Sequence, residues 1–574
     1  MCAALEHRGP DSRGFFEEDG VALGVARLAV IDLEGGDQPI FNEDRSILVV
    51  CNGEIYNYRE LREELVRTGH RLRTDSDAEV IVHLYEELGV ECVQRLRGMY
   101  AFAIWDSPAR QLLLARDRIG KKPLFYADRG DRLTFASEPR AILADGGVPR
   151  EVDAMAIDLF LHYQTVPAPR SAFRAIQKLP PAHTLTWHDG ASSSRRYWKL
   201  SYRDRYANAT AQEAVELIRG ELLQATRLRL RSDVPVGAFL SGGVDSSAVV
   251  AAMARQADRP VKTFSIGFDV GEFDETASSR EVARTYATEH HELVLDATAM
   301  ELLPRLVWHY GEPFADSSAL ATFALAEMAS RHVTVALNGD GGDEAFAGYR
   351  RYAEPAPERP LIRHHAERRA HAYFEASARM ELYQPEFSES LDKDGWRAVV
   401  EEPYRASDAT DPLERVLDVD VQTYLGDDLL VKMDIATMAH SLEARSPLCD
   451  QRVQEVAAAL PMAMKLSGST TKAIFKQAMR DWLPSCIIDR PKMGFGIPIA
   501  EWLRGRLAAD VLLDPRALSR GLFRQERVRA LVREHELGQG NHGYRIWTLL
   551  MLELWFRTYI DERIGNGPVA LSIR

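Results

Sequence analysis

The stretch Phe239-Leu240-Ser241-Gly242-Gly243-Val244-Asp245-Ser246-Ser247 joins an apolar run, Pro235–Leu240, to a helix-like run beginning at Ala248. It therefore dictates a strand–loop–helix unit near the middle of the chain. Gly242 and Gly243 let backbone N–H groups approach an anion closely, Ser241, Ser246 and Ser247 add hydroxyl donors, and the helix that follows turns its N-terminus toward negative charge. Such a loop has the chemistry to grip a pyrophosphate group. Asp245 is the odd member, because a carboxylate beside a phosphate cradle repels its ligand unless a divalent cation lies between them; Mg²⁺ is thereby implied. The loop has neither the Lys of GxxxxGK[ST] nor the spacing of GxGxxG, which argues against a P-loop and a dinucleotide fold.

The rest of the chain is consistent with a soluble enzyme. Its 574 residues suffice for two or more domains, and 46% hydrophobic residues can fill their cores. A net charge of −14 disfavours nucleic-acid and anionic-membrane surfaces. No apolar run reaches bilayer length and no basic-then-apolar leader opens the chain, so a cytoplasmic location is expected. Cys2, Cys51, Cys92, Cys449 and Cys486 are too sparse for a disulfide framework and lack CxxC spacing, so buried free thiols are expected.

Two regions differ in rhythm. Up to about residue 200, short β-rich runs such as Ile47–Cys51, Tyr100–Trp105 and Gln111–Arg116 alternate with Gly, Asp and Pro turns, a pattern of stacked sheets. Lys199–Asn208 is polar, and Thr210-Ala211-Gln212-Glu213 offers a capping box before a helix to about Leu230; the boundary is drawn after residue 205. Beyond it, strand candidates (Pro235–Leu240, Val261–Ile266, His332–Leu337) alternate with helical ones (Ser247–Arg255, Ala277–Thr288, Thr322–Ser330), as in a parallel α/β sheet whose ligands lie at the strand ends. The charged stretch 355–405 reads as a solvated helical insertion.

The third of those strands delivers Asn338-Gly339-Asp340-Gly341-Gly342-Asp343-Glu344, an acidic glycine-rich loop, at its C-terminal end. Asp245 and Asp343 are the expected Mg²⁺ ligands, with phosphate oxygens completing the shell. Thr263–Phe268 suits laying backbone at Ile266 against an adenine, although by pattern alone it is equally an ordinary core strand.

The loop matches SGGxDS, the signature of ATP pyrophosphatases, and the chain as a whole resembles the bacterial glutamine-hydrolysing asparagine synthetases. The likeness runs through His7–Asp11, Asn52–Asn57, Arg116–Leu124, Phe135–Glu138, the SGGVDSS loop, Gly339–Glu344, Asp428–Asp434, Ser441–Pro447 and Arg490–Gly496. It implies an αββα N-terminal-nucleophile glutaminase sandwich over residues 1–205 and a parallel-sheet ATP-pyrophosphatase domain with a helical C-terminal part over 206–574. The implied reaction activates aspartate with ATP to β-aspartyl-AMP and pyrophosphate, after which ammonia from glutamine displaces AMP. The runner-up is the same fold acting on a different carboxylate in surface-polysaccharide or secretion-linked biosynthesis. Implied partners are glutamine, aspartate and ATP, with no nucleic acid and no membrane; a homodimer stays open.

By the same resemblance, Arg27 holds the glutamine carboxylate, Asp77 its amino group, and Asn52 and Gly53 the oxyanion, with Glu54 in the same pocket; a guanidinium, a counter-charge and neutral donors suit those roles. Phe239, Leu240, Ser241, Gly242, Gly243, Ser246, Asn338 and Gly339 line the ATP site. Lys472 resembles the family's lysine near the phosphates, and Asp340 its acidic residue for acyl-adenylate formation, where Glu is commoner. The N-terminus departs from the pattern. Family members begin with a catalytic Cys followed by a strand and a helix before HRGPD, whereas here only Ala3–Glu6 separate Cys2 from His7. Met1–Leu5 therefore reads as the end of the first helix, with Met1 and Leu5 packing on the core, and Cys2 is not expected to be the nucleophile.

Overall fold

The computed structural model describes residues 1–203, 206, 208–354, 361–370, 373–491, 493, 494 and 496–562. Part of the expected linker around 204–207, the Pro355-Ala356-Pro357 start of the insertion, Lys492 and Phe495 lie outside the described residues.

The N-terminal region opens with a hairpin, β1 (Ser12–Glu18) and β2 (Val21–Arg27). Strands β3 (Ile40–Phe41), β4 (Ile47–Ile55), β5 (Gly98–Asp106) and β6 (Gln111–Arg116) follow, then β7 (Phe125–Asp128), β8 (Leu133–Ala136), β9 (Gln177–Lys178), β10 (His183–His188) and β11 (Ala191–Arg196). Six of them form an antiparallel sheet in the order β11-β10-β6-β5-β4-β3. Its central strands are apolar on both faces because both are covered. Leu48, Val50, Ala103 and Leu114 meet Leu23, Leu124 and Tyr126 of the facing layer, while Val49, Phe102 and Leu113 meet Leu61 and Leu65 of α1 (Tyr58–Thr68) and Ile81 and Leu84 of α2 (Glu79–Leu88). The facing layer comes in two pieces, the β1–β2 hairpin and a sheet of order β8-β7-β9, with no ladder between them among the described residues. Outside it pack α3 (Pro139–Leu143) and α4 (Ala154–Tyr163), giving the expected αββα sequence of layers.

The C-terminal region starts with α5 (Ala211–Arg229), whose N-terminus carries the expected capping box between Thr210 and Glu213. Strands β12 (Val236–Phe239), β13 (Lys262–Phe268), β14 (Glu289–Leu295), β15 (Val335–Leu337) and β16 (Glu443–Arg445) form an all-parallel sheet ordered β14-β13-β12-β15-β16. The chain steps outward from β12 to β14 and then returns to the other side of β12. The C-terminal ends of β12 and β15 thus flank a crevice at a topological switch point. Helix α6 (Val244–Ala254) begins three residues earlier than its sequence pattern implied, so Asp245 and Ser246 lie in its first turn.

Several expectations need correction. The insertion is helical but not simply solvated: Arg379 is buried and donates to Asp158 of α4 (2.9 Å), and Trp396 is buried with its carbonyl accepting from Tyr163 (2.7 Å). Of the five thiols, all free, only Cys51 and Cys92 are buried. Cys2–Leu5 forms a 3₁₀ turn in which Leu5 packs on the core but Met1 is 41% exposed. No helix among the described residues is long and apolar enough to cross a membrane.

Candidate functional sites

Every residue expected at the nucleotide lines one cleft of 590 Å³ at the crevice between β12 and β15: Phe239, Leu240, Ser241, Gly242, Gly243, Asp245, Ser246, Ile266, Asn338, Gly339, Asp340, Asp343 and Lys472. The SGGVDSS loop is tied to itself, with the Ser241 N–H (3.2 Å) directed at the Ser246 hydroxyl and Gly243 N–H at that of Ser241 (3.3 Å). The acidic loop approaches it so closely that a Cβ at Gly339 would stand 2.6 Å from the Ser246 backbone nitrogen, so only glycine lets the two loops touch.

The Lys472 ammonium bridges the two loops, contacting Asp245 and, at 2.6 Å, Asp343. Two hard carboxylates converging on one cationic point are the donor set that Mg²⁺ takes together with phosphate oxygens, so Asp245 and Asp343 fit that ion and the ammonium stands in for its charge. Lys472 sits in the left-handed region (φ 54°) at the start of the helix Ala473–Met479, which aims its side chain into the cleft. Asp340 faces the cleft too. Burial raises its pKa, against the opposing pull of Lys121 and Lys432.

Sequence reading passed over two further groups here. Lys432 donates to Asp316 (2.8 Å) and to the Ser318 hydroxyl (2.9 Å), and all three line the cleft. Burial alone lowers the lysine's pKa, but Asp316 and Asp428 outweigh it and hold the ammonium charged. A lone Lys in Leu429-Leu430-Val431-Lys432-Met433 was the available signal, since an apolar helix seldom buries an amine without a partner. Glu344, the last residue of the acidic loop, is buried and accepts from the Tyr349 hydroxyl; burial and the charge of Asp343 lift its pKa to about 7.

A second cavity, of 1190 Å³, lies in the N-terminal region and is lined by Arg27, Asn52, Gly53, Glu54 and Asp77 together. Asn52 and Gly53 belong to β4 itself, where Gly53 has φ +140° and a Cβ would meet the Met99 carbonyl oxygen at 2.0 Å. The Asp77 carboxylate accepts the Ile55 N–H (2.6 Å), and burial, partly offset by that bond, brings its pKa up to about 6. Arg27 donates to the carbonyls of Ile31 (3.0 Å) and Asp32 (2.7 Å), which orient its guanidinium at the cavity wall. Cys2 also lines the cavity, its thiol against β2, where a Cβ on Gly24 would lie 2.6 Å from the sulfur.

Buried ion pairs join the two regions. Arg445 of β16 reaches Glu54 (2.7 Å), Glu443 (2.8 Å) and the carbonyls of Arg229 and Arg231. Asp434 holds both Arg8 (2.7 Å) and Lys122 (3.2 Å), and Asp450 holds Arg97 (2.6 Å) and Arg229 (2.7 Å). Glu54 therefore touches the N-terminal cavity and the parallel sheet at once.

Two family profiles match the chain. The asparagine synthase family profile matches residues 217–557, and the glutamine amidotransferase domain profile matches residues 1–198. Asparagine synthetase [glutamine-hydrolyzing] 1 of Bacillus subtilis is 33% identical, over 99% of this chain and 95% of its own length. A putative asparagine synthetase [glutamine-hydrolyzing] of Mycobacterium bovis is 33% identical over 98% of this chain and 93% of its own. Amidase chyE of Penicillium rubens is 34% identical over 60% of this chain and 53% of its own. The chain belongs to the asparagine synthase family of ligases, with a glutamine amidotransferase domain at its N-terminal end.

Proposed function

We propose that this chain amidates aspartate to asparagine through β-aspartyl-AMP, with ATP as the activating substrate and glutamine as the source of nitrogen. Membership of the family supports ATP-dependent amidation with glutamine. The observation that carries the finer reading is the meeting, in one cleft, of the SGGVDSS loop, the acidic loop and Lys472. The loop N–H groups and the start of α6 bind the phosphates, and the Lys472 ammonium neutralises charge on the departing pyrophosphate. Asp245 and Asp343 hold Mg²⁺, which supplies further charge neutralisation when bound. Asp340 and the Asp316–Lys432 pair orient the carboxylate that attacks the α-phosphorus. In the second cavity Arg27 and Asp77 hold the two charged ends of glutamine, and Asn52 and Gly53 face its amide oxygen.

With Mg²⁺, ATP, aspartate and ammonium, the expected products are AMP, pyrophosphate and asparagine in equal amounts. ADP and phosphate as the main products would overturn the reading, and Asp245→Asn or Asp343→Asn should suppress turnover severely. A second reading, another carboxylate as acceptor, is kept by the relative named an amidase. It is separated by ATP–pyrophosphate exchange, which should require aspartate and respond little to glutamate, whose extra methylene misplaces the reacting group.

A further inference from the structure

In the N-terminal region, at residues that line neither of the two cavities, three segments meet around two histidines. Glu43 lies in the turn between β3 and β4, His70 follows α1, and His83 and Glu86 are one turn apart on α2. One ligand atom from each of the four lies within 4.8 Å of the others. His70 Nδ1 is 3.1 Å from Glu43 and 3.7 Å from Glu86, and His83 Nδ1 is 3.2 Å from Glu43 and 3.1 Å from Glu86. We propose that Glu43, His70, His83 and Glu86 form a zinc site.

The spacing carries the assignment. A tetrahedral Zn²⁺ with bonds of about 2.0–2.2 Å places its ligand atoms about 3.3–3.6 Å apart; the four nitrogen–oxygen separations, 3.1, 3.1, 3.2 and 3.7 Å, lie on either side of that range, Glu43 offering Oε1 to His70 and Oε2 to His83. Both imidazoles point the same nitrogen, Nδ1, at the shared centre. The other nitrogen of each is turned to a carboxylate outside it, His70 Nε2 to Glu87 (3.2 Å) and His83 Nε2 to Glu79 (3.8 Å). The carboxylate ligands are steadied in the same way. Glu86 Oε1 accepts from Asn42 Nδ2 (3.0 Å), leaving Oε2 toward the centre, and Glu43 Oε1 accepts the Arg71 N–H (2.8 Å). His70 and both carboxylates thus have hydrogen-bonded outer partners, and His83 has the Glu79 carboxylate at ion-pair distance, the kind of support that orients ligands in protein zinc sites.

Charge points the same way. Four carboxylates (Glu43, Glu79, Glu86, Glu87) surround two imidazoles, and Arg62 contributes a guanidinium 3.8 Å from Glu79. His83 is buried, whereas His70, Glu43 and Glu86 reach the surface and leave an entry path. The ion would clamp the β3–β4 turn and α2 to the segment 70–77, which ends at Asp77 of the glutamine cavity.

The test uses the full chain stripped with a chelator and titrated with Co²⁺, followed by Zn²⁺ competition. One equivalent of Co²⁺ should bind with the intense visible absorption of a four-coordinate centre, and Zn²⁺ should displace it and raise Tm. His70→Gln and Glu86→Gln should abolish the absorption, and Glu87→Gln should weaken binding on the order of 10–100-fold. Both ligand variants should keep ammonia-dependent AMP formation, which reports that they are folded. Absence of the four-coordinate signal in the unmodified chain, or equal binding by His70→Gln and Glu86→Gln, overturns the proposal; the second outcome places the ion elsewhere, such as between Asp245 and Asp343.

Discussion

Gly348 gives the nucleotide site its most exacting test, because a single methyl group reaches both members of the charge bridge. A Cβ there would stand 1.9 Å from Asp343 Oδ1 and 2.2 Å from Lys472 Cε, whereas ordinary contact starts at 3.4 Å. The carboxylate must therefore retreat from 1.9 to at least 3.4 Å, about 1.5 Å, and Lys472 must also move. A misplacement of 1 Å at a reacting centre costs about 10²-fold, so Gly348→Ala should lower aspartate-dependent ATP–pyrophosphate exchange by about 10²–10³-fold. The strain falls on the free ends of two side chains rather than on backbone, so Tm should move by only a few degrees. Gly220 supplies the comparison: it lies in α5 with open space around its Cβ position. Gly220→Ala should leave exchange unchanged and add about 0.5–1 kcal/mol of stability. A folded Gly348→Ala protein that exchanges within threefold of the unmodified chain would refute the placement of Asp343 and Lys472 at the phosphates.

Glutamine binding should depend on pH through Asp77, whose pKa sits at about 6: above it the carboxylate is ionised and pairs with the ligand's ammonium, and below it affinity falls. Calorimetry from pH 5 to 8 should show this fall in the unmodified chain and a flat, weak response in Asp77→Asn. Arg445→Met should cost about 3–5 kcal/mol, because it strands buried carboxylates. Combined with Glu54→Gln in equilibrium unfolding it should show a coupling above about 1 kcal/mol; additivity within about 0.5 kcal/mol would mean the pair does not act as a unit. Cys2→Ala should leave ammonia-dependent asparagine formation unchanged, since that thiol lines the other cavity; a loss of synthesis, measured by AMP release, would contradict this.

The parts of the fold legible in the sequence were those with strong local pattern. β6 was read to the residue, and the Thr210–Glu213 box marked the start of α5, because apolar runs and caps are written in neighbouring residues. β14 was missed since its run Glu289-His290-His291-Glu292 is polar, and β16 since three residues carry no period; both are strands because the sheet offers them an edge to pair with. The same division holds at the sites. Residues with distinctive local chemistry, such as Gly242 or Asp343, could be named from the sequence, whereas Asp316, just before one helix, and Lys432, on another, meet across more than a hundred residues of chain. The four proposed zinc ligands escaped notice for a similar reason, being spread over 44 positions with only His83 and Glu86 in a recognisable helical spacing.

The buried ion pairs between the two regions constrain how this chain can be altered by recombination. Arg8, Glu54, Arg97 and Lys122 come from one side, and Asp434, Arg445 and Asp450 from the other, so part of each side's buried charge is balanced only across the boundary. A chimera that joins this N-terminal region to a relative's synthetase half inherits stranded charges unless positions 434, 445 and 450 are carried across with it. For the same reason substitutions at these seven positions should travel together in descent: a lineage that loses Asp434 leaves Arg8 with Glu138 alone (3.1 Å) and Lys122 with Glu443 at 4.0 Å, and a compensating change on the opposite side restores the balance.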